Sequence, residues 1–139
     1  MPASYLLDTN VVSETRRTRP APGVTAFLQA ADATGLFLSV LTLGELRKGV
    51  AARRQTDPIS AEQLGVWMDG IETTFADRVL PVDAAVARIW GELSAGRNRP
   101  VIDTLIAATA IAGGLTLVTR NTRDVAATGV PLIDPWQTS

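Results

Sequence analysis

Residues 4–14 read SYLLDTNVVSE. Tyr5, Leu6 and Leu7 are apolar and β-favouring, and they run directly into a carboxylate, a hydroxyl and an amide at Asp8, Thr9 and Asn10. A short apolar run without polar alternation suits a parallel strand covered on both faces. In open α/β sheets, ligands collect just beyond the carboxyl ends of such strands. Asp8 is therefore either a turn residue capping the helix that follows or the first piece of a site.

Working outward, residues 5–8 read as a first strand and TNVVSETRR (9–17) as a short helix stopped by TRPAPG. A second helix is expected over Val24–Asp32, a turn at Thr34-Gly35, and a strand at LFLSV (36–40). LTLGELRKGVAARR (41–54) has Leu43, Leu46 and Val50 at helical spacings. DPIS (57–60) breaks it, and Ser60 is the expected N-cap of a helix running to about Phe75. RVLPVD (78–83) gives a short strand and the start of a helix that continues to Gly96. VIDTLIAATAIAGG is a further helix closed by Gly113-Gly114. LTLVT (115–119) is a strand, RNTRDVAATG a loop or short helix, and VPLID (130–134) a last edge strand. Strands alternating with helices imply a three-layer α/β/α sandwich around a central, mostly parallel sheet.

A chain of 139 residues, 46% apolar, has room for one well-buried domain, taken here as residues 1–139. No basic segment followed by an apolar core opens it, and no window approaches the roughly 18 apolar residues of a membrane span, so a cytoplasmic protein without a membrane partner is expected. There is no cysteine and no histidine. That excludes the usual zinc ligands, Ser-His-Asp and Cys-His mechanisms, and RNA cleavage by an imidazole pair. Any hydrolysis rests on carboxylates, which as hard oxygen ligands hold Mg²⁺ or Mn²⁺. The net charge of −1 argues neither for nor against nucleic acid. Twelve of the thirteen basic residues are Arg, and many cluster: Arg16, Arg17 and Arg19; Arg47 beside Lys48; Arg53 and Arg54; Arg97 and Arg99; Arg120 and Arg123. Such clusters either bind phosphate or form a solvated face.

Four acids stand where a parallel sheet would gather them at one edge. Asp8 ends the first strand. Glu45 lies soon after LFLSV, about 130° from its helix's apolar stripe, where a solvent-facing Glu paired with a nearby Arg is the structural alternative. Gly44 before it is costly in a helix, which points to close approach by another backbone or a ligand. Asp103-Thr104 repeats the Asp8-Thr9 pair at another helix start, and Asp124 follows LTLVT, three residues after Asn121. Helix-dipole and turn chemistry are the alternatives at both. Gathered together, four carboxylates repel one another unless a cation lies between them, and a divalent ion resolves the conflict.

YLLDTNVVSE, SVLTLGELRKG, VIDTLIAATA, LTLVTRNTRD and GVPLIDPW together resemble, in order and spacing, the PIN-domain family, and within it the VapC-type toxin ribonucleases of bacterial toxin-antitoxin pairs. The resemblance spans residues 5 to 136. It implies an Mg²⁺- or Mn²⁺-dependent endoribonuclease that leaves a 5′-phosphate and a 3′-hydroxyl. The family's acids fall on Asp8, Glu45 and Asp103, with the fourth position on Asp124 or shared with Asn121. Asp8, Asp103 and Asp124 are then the main metal ligands, and Glu45 ligates through water or orients the nucleophile. Thr9 and Asn10 match the hydroxyl and amide beside the first acid, while Val125 stands where some members have an aromatic anchor. The resemblance also implies a homodimer and inhibition by a cognate antitoxin in a heteromeric complex. Arg16, Arg17, Arg47 and Arg120 are then expected to border the pocket and, with Thr9, Asn10 and Asn121, to contact RNA. Trp67, Trp90 and Trp136 are read as core or interface anchors rather than base-stacking platforms.

Two other classes compete. A phosphotransfer enzyme using Asp8 as covalent nucleophile wants a second Asp two residues on, where this chain has Asn10. A non-catalytic binding module would use the acids only as structural caps.

Overall fold

A computed structural model describes residues 3–137; the single domain expected over 1–139 extends two residues beyond these at each end. Five strands, β1 (Tyr5–Leu7), β2 (Leu36–Ser39), β3 (Val79–Leu80), β4 (Thr116–Val118) and β5 (Leu132–Ile133), form one sheet in the order β3-β2-β1-β4-β5. All four pairings are parallel. The helices are α1 (Thr9–Glu14), α2 (Pro22–Ala30), α3 (Val40–Thr56), α4 (Pro58–Thr74), α5 (Ala84–Ser94), α6 (Val101–Gly113) and α7 (Thr122–Val125). The chain winds from β1 outward through β2 to β3, then returns to lay β4 on the other side of β1. The reversal falls between β1 and β4, and their carboxyl ends flank the crevice where open α/β sheets bind ligands.

Alternation along each strand makes the two covered faces. Leu6 and Leu117 enter one core with Ile106, Ala107 and Ala110 of α6, and Val125 of α7 closes it. Leu7 and Val118 enter the opposite core with Val11 and Val12 of α1, Val24 of α2, Leu38 and Phe75. Both faces of β1 are therefore dry, which is why its sequence lacks polar alternation. Leu6, Leu38 and Leu117 are at most 1% exposed. Each such burial contributes about 1.5–3 kcal/mol. Val125 fills the anchoring position with an aliphatic side chain that is 3% exposed.

The α/β/α architecture and parallel sheet agree with the sequence reading, and several boundaries move. Ser60 does not cap α4. Asp57 does, its Oδ1 accepting from the Ser60 N–H at 3.1 Å, with Pro58 at the first helical position where its missing N–H is harmless. Val40 belongs to α3, because the Ser39 hydroxyl accepts from the Leu41 N–H at 3.0 Å and ends the strand there. α1 stops at Glu14 instead of Arg17, α2 spans Pro22–Ala30, and α5 stops at Ser94 instead of Gly96. α6 closes as expected on Gly114, at φ 66°, a left-handed position that favours glycine. Gly44 has no atom within 4 Å of the space a Cβ would fill, so no backbone approach accounts for it. Among the described residues no helix is long and apolar enough to cross a membrane.

Candidate metal centre

Asp8 leaves β1 with an extended backbone, φ −70° and ψ 160°, and serves as N-cap of α1. Its Oδ1 accepts from the Thr9 N–H at 2.8 Å. Its Oδ2 accepts from the Thr119 hydroxyl at 2.8 Å and lies 3.5 Å from the Asn10 amide nitrogen. Thr119 is the residue just past β4, on the strand adjacent to β1, so strand register alone sets it beside Asp8. Its oxygen also accepts from the Asn121 N–H at 2.9 Å and the Asn10 amide at 3.3 Å. One donated and two accepted bonds saturate that hydroxyl. The capping reading of Asp8 is correct as far as it goes, yet the carboxyl is only 7% exposed. Burial pushes its pKa up, with the nearby Asp103 and Glu45 charges adding to the rise and the bonds from Thr119 and Thr9 opposing it.

Asp103 sits in the first turn of α6, where no side chain caps the helix. Its Oδ2 instead accepts from the Asn121 side-chain amide at 3.0 Å. Burial raises its pKa, and Glu45 and Asp124 raise it further, against the lowering bond from Asn121. Glu45 is exposed on α3. Its Oε1 accepts the Thr9 hydroxyl at 2.6 Å, and Thr9 Oγ1 lies 3.2 Å from the hydroxyl of buried Thr42. The Glu45–Arg pair of the structural alternative is absent among the described residues.

Asp8, Glu45 and Asp103 line one open cleft of about 600 Å³ together with Thr9, Asn10, Arg17, Arg120 and Trp136. Asp124 is exposed on α7 and does not line it, although its charge is felt at Asp103. Asn121 is the residue that touches Asp103. Arg16 lies in an adjoining groove of about 290 Å³, shared with Arg17, Arg53, Leu46 and Trp67. Arg47 does not border the acids. Its guanidinium is held across the α3–α4 contact by Glu72 at 2.9 Å and Asp69 at 2.6 Å, because α4 packs on that side of α3. Trp67 and Trp136 pack against the core as expected, but each also lines a cleft. Trp90 buries its indole nitrogen without a hydrogen-bond partner.

Residues outside the sequence reading also shape the site. Thr119 and Thr42 hold its oxygen network, and the buried Glu14 accepts the Ala21 N–H at 2.8 Å from the cleft wall. Glu14 lies within the opening stretch itself, as the only acid there besides Asp8.

The donor set is hard: carboxylates, hydroxyls and amides. Asp8, Glu45 and Asp103 have no ion-pair partner among the described residues, whereas Glu14 on the same wall lies 3.8 Å from the Arg17 guanidinium. Nor do any three acids there come close enough to form a preformed cage around one ion, and the expected closure of all four is not met. Mg²⁺ does not require such a cage, since it keeps several waters and binds through one or two carboxylates plus substrate phosphates. The residues fit an ion of that kind.

The PIN domain family model matches residues 5–129. The VapC ribonuclease Y4jK of Sinorhizobium fredii is 34% identical over 95% of this chain and 97% of its own. The structure of FitAcB from Neisseria gonorrhoeae is similar with a TM-score of 0.88 and 35% identity, over 96% of this chain and 99% of that one. VapBC-5 from Mycobacterium tuberculosis, a member of the VapBC family of toxin-antitoxin systems, is similar with a TM-score of 0.68 and 28% identity, over 95% and 98% of the two chains.

Proposed function

The chain belongs to the PIN-domain family, and from that premise we propose that it is the endoribonuclease toxin of a toxin-antitoxin pair, hydrolysing RNA phosphodiester bonds at a divalent-metal site and silenced by a cognate antitoxin. The observation that carries this reading is the convergence of Asp8, Glu45 and Asp103 on one cleft, without ion-pair partners, in a chain that has no histidine or cysteine. A ribonuclease so composed has carboxylates as its acid-base and ligand chemistry. The names of the relatives support the assignment: a ribonuclease in one case, a member of a family of toxin-antitoxin systems in another.

In this reading Asp8 and Asp103 hold Mg²⁺ or Mn²⁺. When bound, the ion neutralises charge at the scissile phosphate and lowers the pKa of a water beside it. Asp8 is fixed by Thr9 and Thr119, and Asn121 orients Asp103. Glu45, held by the Thr9 hydroxyl, is the exposed carboxylate, placed to orient the attacking water and take its proton. Arg17 on the cleft wall takes RNA phosphates, Arg120 contacts the RNA beside it, and Arg16 extends that surface into the adjoining groove. Asp124 adds negative potential next to Asp103. The toxin acts as a cytoplasmic homodimer that the antitoxin joins.

The aspartyl-phosphate alternative lacks its general acid. Asn10 occupies that position, with its amide near Asp8 and Thr119 and its Oδ1 accepting the Arg120 N–H at 3.3 Å. Incubating the purified protein with a panel of RNAs, with Mn²⁺ or Mg²⁺ and then with excess chelator, tests the assignment. Cleavage that needs the ion and leaves 5′-phosphates is expected. Chelator-insensitive cleavage, or phosphate trapped covalently on Asp8, contradicts it.

A further inference from the structure

Trp136 follows β5, where the Asp134 carboxylate accepts the Trp136 N–H at 2.9 Å in a tight turn. The ring rests on the core against the Leu7 and Val118 side of the sheet, yet it also forms part of the acid cleft wall. Over it lies the Arg120 guanidinium, with Cζ 5.2 Å from the ring centroid. Arg120 is in turn tied to the catalytic edge, since its backbone N–H donates to Asn10 Oδ1. Four carboxylates, Asp8, Glu14, Glu45 and Asp103, line this cleft, and Arg120 forms an ion pair with none of them among the described residues. Its cation is committed to an aromatic face instead.

We propose that Arg120 stacked on Trp136 is a nucleobase platform, receiving the unpaired base of a nucleotide next to the scissile phosphate. A phosphate contact alone needs only a cation, as Arg17 supplies. An Arg over a Trp offers planar, polarisable surface as well as charge, and unstacked RNA bases settle on aromatic rings and guanidinium planes. The platform and the metal-binding acids line the same cleft, so a base seated there places its own phosphate near Asp8 and Asp103. A base paired in a helix cannot reach it.

This inference rests on the ribonuclease reading, and one experiment separates the two. Steady-state cleavage is measured with Mn²⁺ on a short oligoribonucleotide carrying the cut site, and on versions in which each nucleotide flanking the cut in turn lacks its base. For the wild-type protein, loss of the base at one flanking position should raise KM roughly five- to hundredfold, the span of single-base stacking, with kcat nearly unchanged. In Trp136→Leu the intact substrate should already show the raised KM, and removing the base should add nothing; Trp136→Phe should fall between. Metal-dependent cleavage with the same KM for every abasic substrate overturns the platform and leaves the ribonuclease reading standing, and this arm needs no variant to fold. An undiminished abasic penalty in Trp136→Leu also overturns it. Absence of metal-dependent cleavage from every RNA removes both readings.

Discussion

Thr119 stands beside Asp8 at the ends of adjacent parallel strands, and its hydroxyl donates to the Asp8 carboxylate at 2.8 Å while accepting from the Asn121 backbone N–H at 2.9 Å. One buried hydroxyl thus joins the first acid to the segment that carries the partner of Asp103. Thr119→Val keeps the shape and removes the bonds, leaving a buried acceptor and donor unsatisfied at about 1–3 kcal/mol. Urea denaturation should show that loss, and metal affinity should fall about 10- to 100-fold, as for other groups that orient ligands. A Thr119→Val protein with wild-type stability and metal affinity would place the threonine outside the site's support.

Asn121 donates to Asp103, whereas Asp124 makes no hydrogen bond to it among the described residues. Asn121→Ala should therefore lower activity about 10- to 100-fold. Asp124→Asn should leave the Asn121–Asp103 bond in place and act only by removing charge, with a smaller effect that fades at high salt. Cleavage rates of the two variants across ionic strength discriminate these modes; a larger, salt-independent loss in Asp124→Asn would make Asp124 the direct participant.

Asp8 gives the fold a pH dependence of known sign. Burial and its acidic neighbours hold its pKa above the ordinary value of 3.8. Between the unfolded and the raised folded value the native state binds more protons, so this group's contribution to stability falls as pH rises through that window. Asp8→Asn removes the titration. In metal-free buffer, the stability of Asp8→Asn relative to wild type should climb as the pH rises above about 4, read by urea denaturation. A difference that does not change with pH would mean that the charge is not buried at a cost. Saturating Mg²⁺ should stabilise the wild type more at the higher pH.

Arg47 is expected to matter to the α3–α4 contact and not to RNA. Its bonds to Glu72 and Asp69 raise its pKa, but the group is exposed enough that the pairs are worth only about 0–1 kcal/mol. Arg47→Ala should cause a small stability change and leave the salt dependence of RNA binding untouched. Arg17→Ala should reduce that slope by about one. Equal slopes for both variants would return Arg17 to the solvated face.

The chain's layers were legible because the strands carry short apolar runs, YLL, LFL and LV, and the helices carry spaced Leu, Ile and Ala. The acids were legible for a related reason: Asp8 sits past a strand end, Glu45 just beyond another and Asp103 at a helix start, and a parallel sheet sends such positions to one edge. What depends on register or on helix neighbours was hidden. Thr119 meets Asp8 only once β4 pairs in register with β1, so nothing local marks it. Arg47 turns from the acids because α4 packs on its side of α3, a choice absent from the α3 sequence. Ser60 and Asp57 both suit a helix cap, and Pro58 decides for Asp57. Asn121 and Asp124 could share a side of one turn, and only the position of α7 against α6 separates them.

If Asp8 and Asp103 hold a divalent ion, with Glu45 beside it, a Mn²⁺ titration followed by electron paramagnetic resonance reads it without any RNA present. The wild-type protein should take up Mn²⁺ saturably, and Mg²⁺ should displace it. Asp8→Asn and Asp103→Asn, folded by circular dichroism, should lose that uptake. Undiminished Mn²⁺ binding in both variants would contradict the account.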